Sequence, residues 1–187
     1  MQYGGLLRAY ILTTVKSKTA RTNFSLFAIK QNRKYILVNL AYANSIVIDN
    51  LQRRCFSFLG QRKNIRREVT IDNYRCDILI ENTKTILEVK TLYANDQNPV
   101  YPTVPSNRVR QQLIKLSSLL DSGYKVCYIF ACLNPEVKET NLDFYDDEYK
   151  ALFKQCLNKG MSCIAISMYF REPPNPICKQ IPLLLNL

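Results

Sequence analysis

The chain has 187 residues, 47% of them hydrophobic, enough to bury one core and too apolar for wholesale disorder. It contains no histidine, which excludes Ser-His and Cys-His nucleophiles and most zinc and iron sites, leaving hard cations such as Mg2+ or Mn2+ on carboxylates. The net charge of +11 is gathered at one end: residues 1–67 hold 13 Lys/Arg against Asp49 alone, and residues 68–187 hold 13 against 14 acids, the footprint of a polyanion-binding surface, nucleic acid foremost.

From the N-terminus, the apolar stretch Leu6–Val15 is broken by Arg8, and no run reaches the length that crosses a membrane. Neither a signal peptide nor a membrane partner is expected. Residues 1–23 read as a basic segment ahead of a single domain over residues 24–187. Strands are predicted over Phe24–Lys30 and Lys34–Asn39. A short helix follows from Asn44 or Ser45 to about Gln52, with Asn44 as N-cap and Ile46, Val47 and Leu51 as its apolar face. The basic loop Arg53–Lys63 leads into three short alternating segments between Arg66 and Lys90. A loop rich in Pro, Asn and Asp spans residues 94–105. The spacing of Val109, Leu113, Leu116 and Leu120 then predicts a helix over Ser106–Leu120, stopped by Gly123. Lys125–Leu133 reads as an interior strand, Asp146–Asn158 as a helix ended by Gly160, and Ser162–Tyr169 as a closing strand. The proline-containing tail from Arg171 is expected to be irregular. Seven cysteines form no Cys-x-x-Cys pair and read as small buried hydrophobes in a reducing cytoplasm.

The three alternating segments carry the chemistry. Asp72-Asn73 and Asn82-Thr83 suit tight hairpin turns. A turn at Asp72-Asn73 sets Glu68 across from Asp77, and one at Asn82-Thr83 sets Asp77 across from Glu88. Alternation puts Glu68, Asp77, Glu88 and Lys90 on one face, with Val69, Ile71, Cys76, Ile78, Ile80, Leu87 and Val89 on the other. Directly opposed residues have Cβ atoms about 5 Å apart, where like charges destabilise a sheet, so a compensating cation is expected. A solvated polar face would alternate in the same way; the crowding of three carboxylates and a lysine favours a site.

From residue 44 the order is helix, three strands, helix, strand, helix, strand. This resembles the α/β restriction-endonuclease-like superfamily, PD-(D/E)xK, a mixed β-sheet flanked by helices. Asp77 stands in the place of that family's Asp on the second meander strand, and Glu88-Val89-Lys90 in the place of its (D/E)xK. The chain also resembles the sugar fermentation stimulation protein (SfsA) family. Val38-Asn39 with Asn44, Arg67-Glu68-Val69, Tyr74-Arg75-Cys76-Asp77, Leu87-Glu88-Val89-Lys90-Thr91, Tyr101-Pro102 with Arg108, and Lys179-Gln180-Ile181-Pro182 carry that likeness over roughly residues 20–187. It departs from the family at Thr103, where the family has Asp, at Val109, where it has Gly, and at Gln112, where it has His.

The resemblance implies a DNA-binding protein and a metal-dependent DNA or RNA nuclease, DNA ahead of RNA. It implies a metal site of Asp77, Glu88 and the Val89 carbonyl for Mg2+ or Mn2+, with Lys90 beside it and Glu68 or Asp49 completing it. It also implies that residues 1–23 stand in for part of an N-terminal OB-like domain. Substrate contacts are expected from Arg53, Arg54, Arg62, Lys63, Arg66 and Arg67, and from Arg108 and Gln112 one turn apart on the next helix, if that face is not simply solvated. Phe56 and Phe58 could stack on bases or pack in the core. The rival reading is a DNA-binding regulatory protein without catalysis. Assembly is left open between a monomer and a homodimer, a form that cutters of both strands often take.

Overall fold

The computed structural model describes residues 10–14, 19, 21–31, 34–92, 101, 107–144, 146–172 and 175–187. At the N-terminal end, β1 (Tyr10–Thr14), β2 (Phe24–Gln31) and β3 (Lys34–Leu37) form an antiparallel three-stranded sheet. Helix α1 (Ala43–Asn50) leads through a 3-10 helix, Arg54–Leu59, to the meander β4 (Ile65–Ile71), β5 (Tyr74–Ile80) and β6 (Thr85–Leu92). Then come α2 (Asn107–Asp121), β7 (Lys125–Cys132), β8 (Thr140–Asp143), α3 (Asp147–Asn158), β9 (Ser162–Glu172), β10 (Asn175–Ile181) and β11 (Leu183–Asn186).

Six of these strands make the central sheet in the order β10-β9-β7-β6-β5-β4. The β9–β7 and β7–β6 pairs are parallel and the outer pairs antiparallel, so the sheet is mixed and helices flank it. Strand β7 has no polar face because both of its sides are covered. Val126, Tyr128, Phe130 and Cys132 enter the core under α2 and α3, beside Leu113, Leu116, Tyr149 and Phe153. Cys127, Ile129 and Ala131 enter the core under α1 and the small sheet, beside Ile46, Val47, Leu51, Phe27 and Leu37.

Local chemistry explains the helix ends. The Asp146 side chain accepts the Tyr149 N–H at 3.0 Å and caps α3, while Gly123 (φ +83°) and Gly160 (φ +95°) follow α2 and α3 in the left-handed region that glycine tolerates. Buried Asn50 ties the end of α1 to the sheet edge. Its amide donates to the Pro176 carbonyl at 3.1 Å, and its oxygen accepts the Cys178 N–H at 3.1 Å.

Several expectations need correction. Asn44 does not cap α1: it lies inside the helix, where Tyr42 is the N-cap residue, and Asn39 caps the preceding 3-10 turn. The basic loop contains the 3-10 helix, and β8 has no counterpart in the sequence reading. The tail is not irregular but supplies β10 and β11. Pro176 falls at a register shift and Pro182 at the break between the two strands, positions where a missing N–H is tolerated. The loop expected over residues 94–105 lies outside the described residues apart from Tyr101. Among the described residues, no helix is long and apolar enough to cross a membrane.

Candidate metal centre

The meander turns where its sequence suggests, but the second turn is a 3-10 helix, Glu81–Thr83, closed by Lys84 at φ +49° instead of a two-residue loop. The outer strand departs from the expected face. Asp72 and Asn73 form the first turn with φ of 46° and 62°, the left-handed pair a two-residue hairpin loop requires. The β4–β5 register sets Arg67 against Ile78 and Val69 against Cys76, so Glu68 falls opposite Asp77. No pair forms there. Glu68 itself has φ +52°, and its exposed carboxylate turns outward to accept from Arg75.

The side chains of β5 change sides at the same point. Tyr74 and Cys76 join the core under α2 together with Leu79, whereas Ile78 and Ile80 join the opposite one. The single buried face expected for Cys76, Ile78 and Ile80 is therefore split, because an irregularity at Glu68 and Asp77 interrupts the alternation.

The inner hairpin brings the remaining residues together. Strands β5 and β6 pair from Ile80–Thr85 to Ile78–Leu87 and then part. Into that gap Asp77 inserts its carboxylate: Oδ2 accepts the Val89 N–H at 2.8 Å and Oδ1 accepts the Asn44 Nδ2 at 3.1 Å. The N–H and C=O of a strand residue point the same way, so the Val89 carbonyl is directed toward Asp77 where strand pairing has ended. Glu88, one residue earlier, faces the α2 side and is only 2% exposed. It accepts from Lys90 Nζ at 2.7 Å, from the Tyr74 hydroxyl and from the Gln112 amide. Lys90 Nζ also lies 5.8 Å from the Tyr128 ring centroid.

Burial is the main cause that raises the Glu88 pKa, and the Asp77 charge adds to it, while Lys90 and the hydrogen bonds oppose the shift. The Tyr74 hydroxyl is likewise raised, by burial first and then by Glu88, which keeps it a hydrogen-bond donor. Lys90 thus neutralises Glu88, while Asp77 is held by the Val89 N–H and the Asn44 amide. With the Val89 carbonyl the two carboxylates make a donor set of oxygens only, which fits a hard dication. The expected third carboxylate is not there: among the described residues, no three acidic or thiol side chains are grouped to hold one ion. Asp49 is exposed on α1; burial raises the Cys178 thiol of β10, and the Asp49 charge adds to that shift.

The basic residues separate into three sets. Arg62 is occupied structurally, its Nη1 donating to the carbonyls of Phe56 at 2.8 Å and Gly60 at 2.7 Å. Lys63, Arg66 and Arg67 are exposed toward the outer hairpin, with Arg66 paired to Glu81 at 2.9 Å, and Arg108 is exposed on α2. Arg53 and Arg54 lie against β10, three strands from Glu88, roughly 14 Å away at ordinary strand spacing. Phe56 is buried in the core and Phe58 is exposed. Sequence reasoning gave Asn44 and Tyr74 no place at the centre. Their only signal was membership of the segments Val38-Asn39 with Asn44 and Tyr74-Arg75-Cys76-Asp77.

A family model described as the sugar fermentation stimulation protein RE domain matches residues 41–173, most of the chain. The chain belongs to the SfsA family. An SfsA homolog of Pseudoalteromonas translucida is 27% identical over 143 residues, covering 70% of this chain and 60% of the relative. One of Maridesulfovibrio salexigens is 25% identical over 195 residues, covering 96% of this chain and 79% of the relative. The match to the homolog of Clostridium kluyveri spans 53% of that protein, so this chain corresponds to little more than half of some SfsA relatives. The structure of Pyrococcus furiosus SfsA in complex with Ca2+ shares the fold, with a TM-score of 0.69 at 17% identity over 92% of this chain and 76% of that one.

Proposed function

We propose that this protein is a metal-dependent nuclease that hydrolyses phosphodiester bonds in nucleic acid, DNA ahead of RNA. The observation that supports this reading is the Asp77 carboxylate in the gap between β5 and β6, bonded to the Val89 N–H, with Glu88 and Lys90 paired on either side of Val89. Asp77, Glu88 and the Val89 carbonyl would hold Mg2+ or Mn2+. The Ca2+ of the Pyrococcus furiosus complex supports a divalent ion in this fold. A bound dication supplies Lewis-acid polarisation of a phosphate and a nucleophile near neutral pH.

The protein's own groups do the rest. Asn44 and the Val89 N–H fix Asp77, while Tyr74 and Gln112 fix Glu88. Lys90 presents a positive charge to the phosphate as negative charge develops on it. Lys63, Arg67 and Arg108 are exposed and free to meet the backbone without reading sequence. The free cysteines, most of them buried, suit a reducing cytoplasm.

One observation favours a second reading, a nucleic-acid-binding regulatory protein without catalysis: Glu88 is already satisfied by Lys90, Tyr74 and Gln112, and among the described residues no third acid completes an ion site. End-labelled single- and double-stranded DNA and RNA, incubated with Mg2+, Mn2+ or EDTA, separate the two. Metal-dependent cutting by the wild type that Glu88→Ala lacks supports the nuclease. Binding without cutting under every metal supports the regulator.

A further inference from the structure

A second cationic site lies away from the carboxylates. A cavity of about 480 Å3 opens between β3, the residues that follow β7, and the ends of β9 and β10. Its size is that of an ordinary small-ligand pocket. Lys34, Lys138 and Lys179 line it together with Tyr35, Tyr169 and Phe170. Among the described residues no carboxylate lines it, although Glu136 pairs with Lys34 at 2.8 Å from outside, and Lys138 Nζ donates to the Pro135 carbonyl at 3.3 Å.

The Lys179 ammonium, by contrast, has no ion-pair or hydrogen-bond partner among the described residues. Tyr35 and Phe170 meet edge to face at 5.9 Å and so brace each other, while Tyr169 touches no other ring among the described residues. That leaves one half-buried aromatic surface free for stacking. Ser167, 4% exposed, also lines the cavity, and its hydroxyl has no hydrogen-bond partner among the described residues. A second cavity, lined by Arg53 and Arg54, shares Tyr169, Lys179 and Gln180 with the first, so the cationic lining continues along β10. The segment Lys179-Gln180-Ile181-Pro182, which plays no part in the carboxylate centre, forms one wall.

Ammonium groups acting as point charges, a free ring and an unpartnered hydroxyl in the lining match a ligand with a phosphate, a flat base and a sugar hydroxyl. We propose that this cavity binds a nucleoside monophosphate unit, with its base on Tyr169, its phosphate at Lys179 and Lys138, and Ser167 within reach of its sugar. The same chemistry is offered by a free nucleotide and by the phosphorylated end of a single strand. In register, Lys90 stands level with Phe130 and Ala165, and Ser167 and Tyr169 lie further along β9. That places the cavity roughly 12 to 16 Å from Lys90 by strand spacing and rise.

The ligand class follows from this lining and not from the carboxylates, so binding is measured on full-length Glu88→Ala protein, which removes any cutting. Calorimetric titration uses AMP, UMP, 5′-phosphorylated tetrathymidylate and the same tetranucleotide without its phosphate. The expected result is one site that requires the phosphate, weakened about tenfold or more by Tyr169→Ala, restored by Tyr169→Phe, and weakened similarly by Lys179→Glu, an exposed change that leaves the melting temperature unaltered. Mononucleotides binding as tightly as the phosphorylated tetranucleotide assign a free ligand; preference for the tetranucleotide assigns a strand end. No binding by any probe, or binding that neither Tyr169→Ala nor Lys179→Glu weakens, overturns the proposal. Metal-dependent cutting by the wild type would survive that outcome, and nucleotide binding would survive a failure to cut.

Discussion

The outer and inner hairpins of the meander start from the same pattern and end in opposite states. In both, a carboxylate is set opposite Asp77: Glu68 across the β4–β5 turn and Glu88 across the β5–β6 turn. Glu88 is drawn inward because three donors wait for it, Lys90, Tyr74 and Gln112, and because β6 is covered by α2. Glu68 sits on the edge strand with Arg75 as its partner, and its backbone turns to φ +52° to reach solvent. Opposition in register brings like charges to one place, but only local donors and burial decide whether they stay there. The result is a pair of carboxylates where the pattern suggested three.

Substitutions test that contrast, beginning with the largest effect. Glu88→Ala or Asp77→Ala should reduce metal-dependent cleavage to background, measured on labelled single and double strands, with nucleic-acid binding retained. Lys90→Ala should lower the cleavage rate by about 10²- to 10³-fold, the scale of losing one preorganised group facing developing charge. Glu68→Gln should leave cleavage within a few-fold of wild type and, as an exposed pair with Arg75, cost only about 0–1 kcal/mol of stability. A collapse of activity in Glu68→Gln would erase the difference between the hairpins.

Acidity sharpens the same comparison. The Glu88 pKa is raised in the fold, so the folded state holds that proton more tightly than the unfolded chain. The associated stabilisation is full at acid pH below the unfolded value and is lost as pH rises through the folded one. Without metal, Glu88→Gln should therefore melt higher than wild type at neutral pH, and the gap should close on acidification. A gap that widens toward acid pH would contradict the desolvated carboxylate. The smallest effect is purely structural: Asn50→Ala strands the Pro176 carbonyl and the Cys178 N–H, costing about 1–3 kcal/mol in denaturant unfolding.

Much of this was legible in the chain. The Asp72-Asn73 turn, the helical spacing of Leu113 and Leu116, and the unbroken apolar run of β7 each reflect one local rule that the fold obeys. The register that sets Asp77 across from Glu88 followed from counting across the second turn. What the sequence withheld depends on distant partners. Asn44 reads as a helix cap until α1 is laid over β5, and Tyr74 reads as an ordinary strand residue until α2 brings Gln112 above it. The proline-bearing tail suggested irregular backbone, yet an edge strand tolerates Pro176 at a bulge, and the pairing of β10 with β9 cannot be read from the tail alone. Arg62 counts as surface charge in any sequence tally, although its guanidinium is spent on the carbonyls of its own loop.

Mn2+ binding followed by electron paramagnetic resonance decides whether Asp77 and Glu88, without Glu68, form the ion site. One ion should bind the wild type, be lost in Asp77→Asn and in Glu88→Gln, and be kept in Glu68→Gln. Undiminished binding in Asp77→Asn, or loss of the ion in Glu68→Gln, would contradict that site.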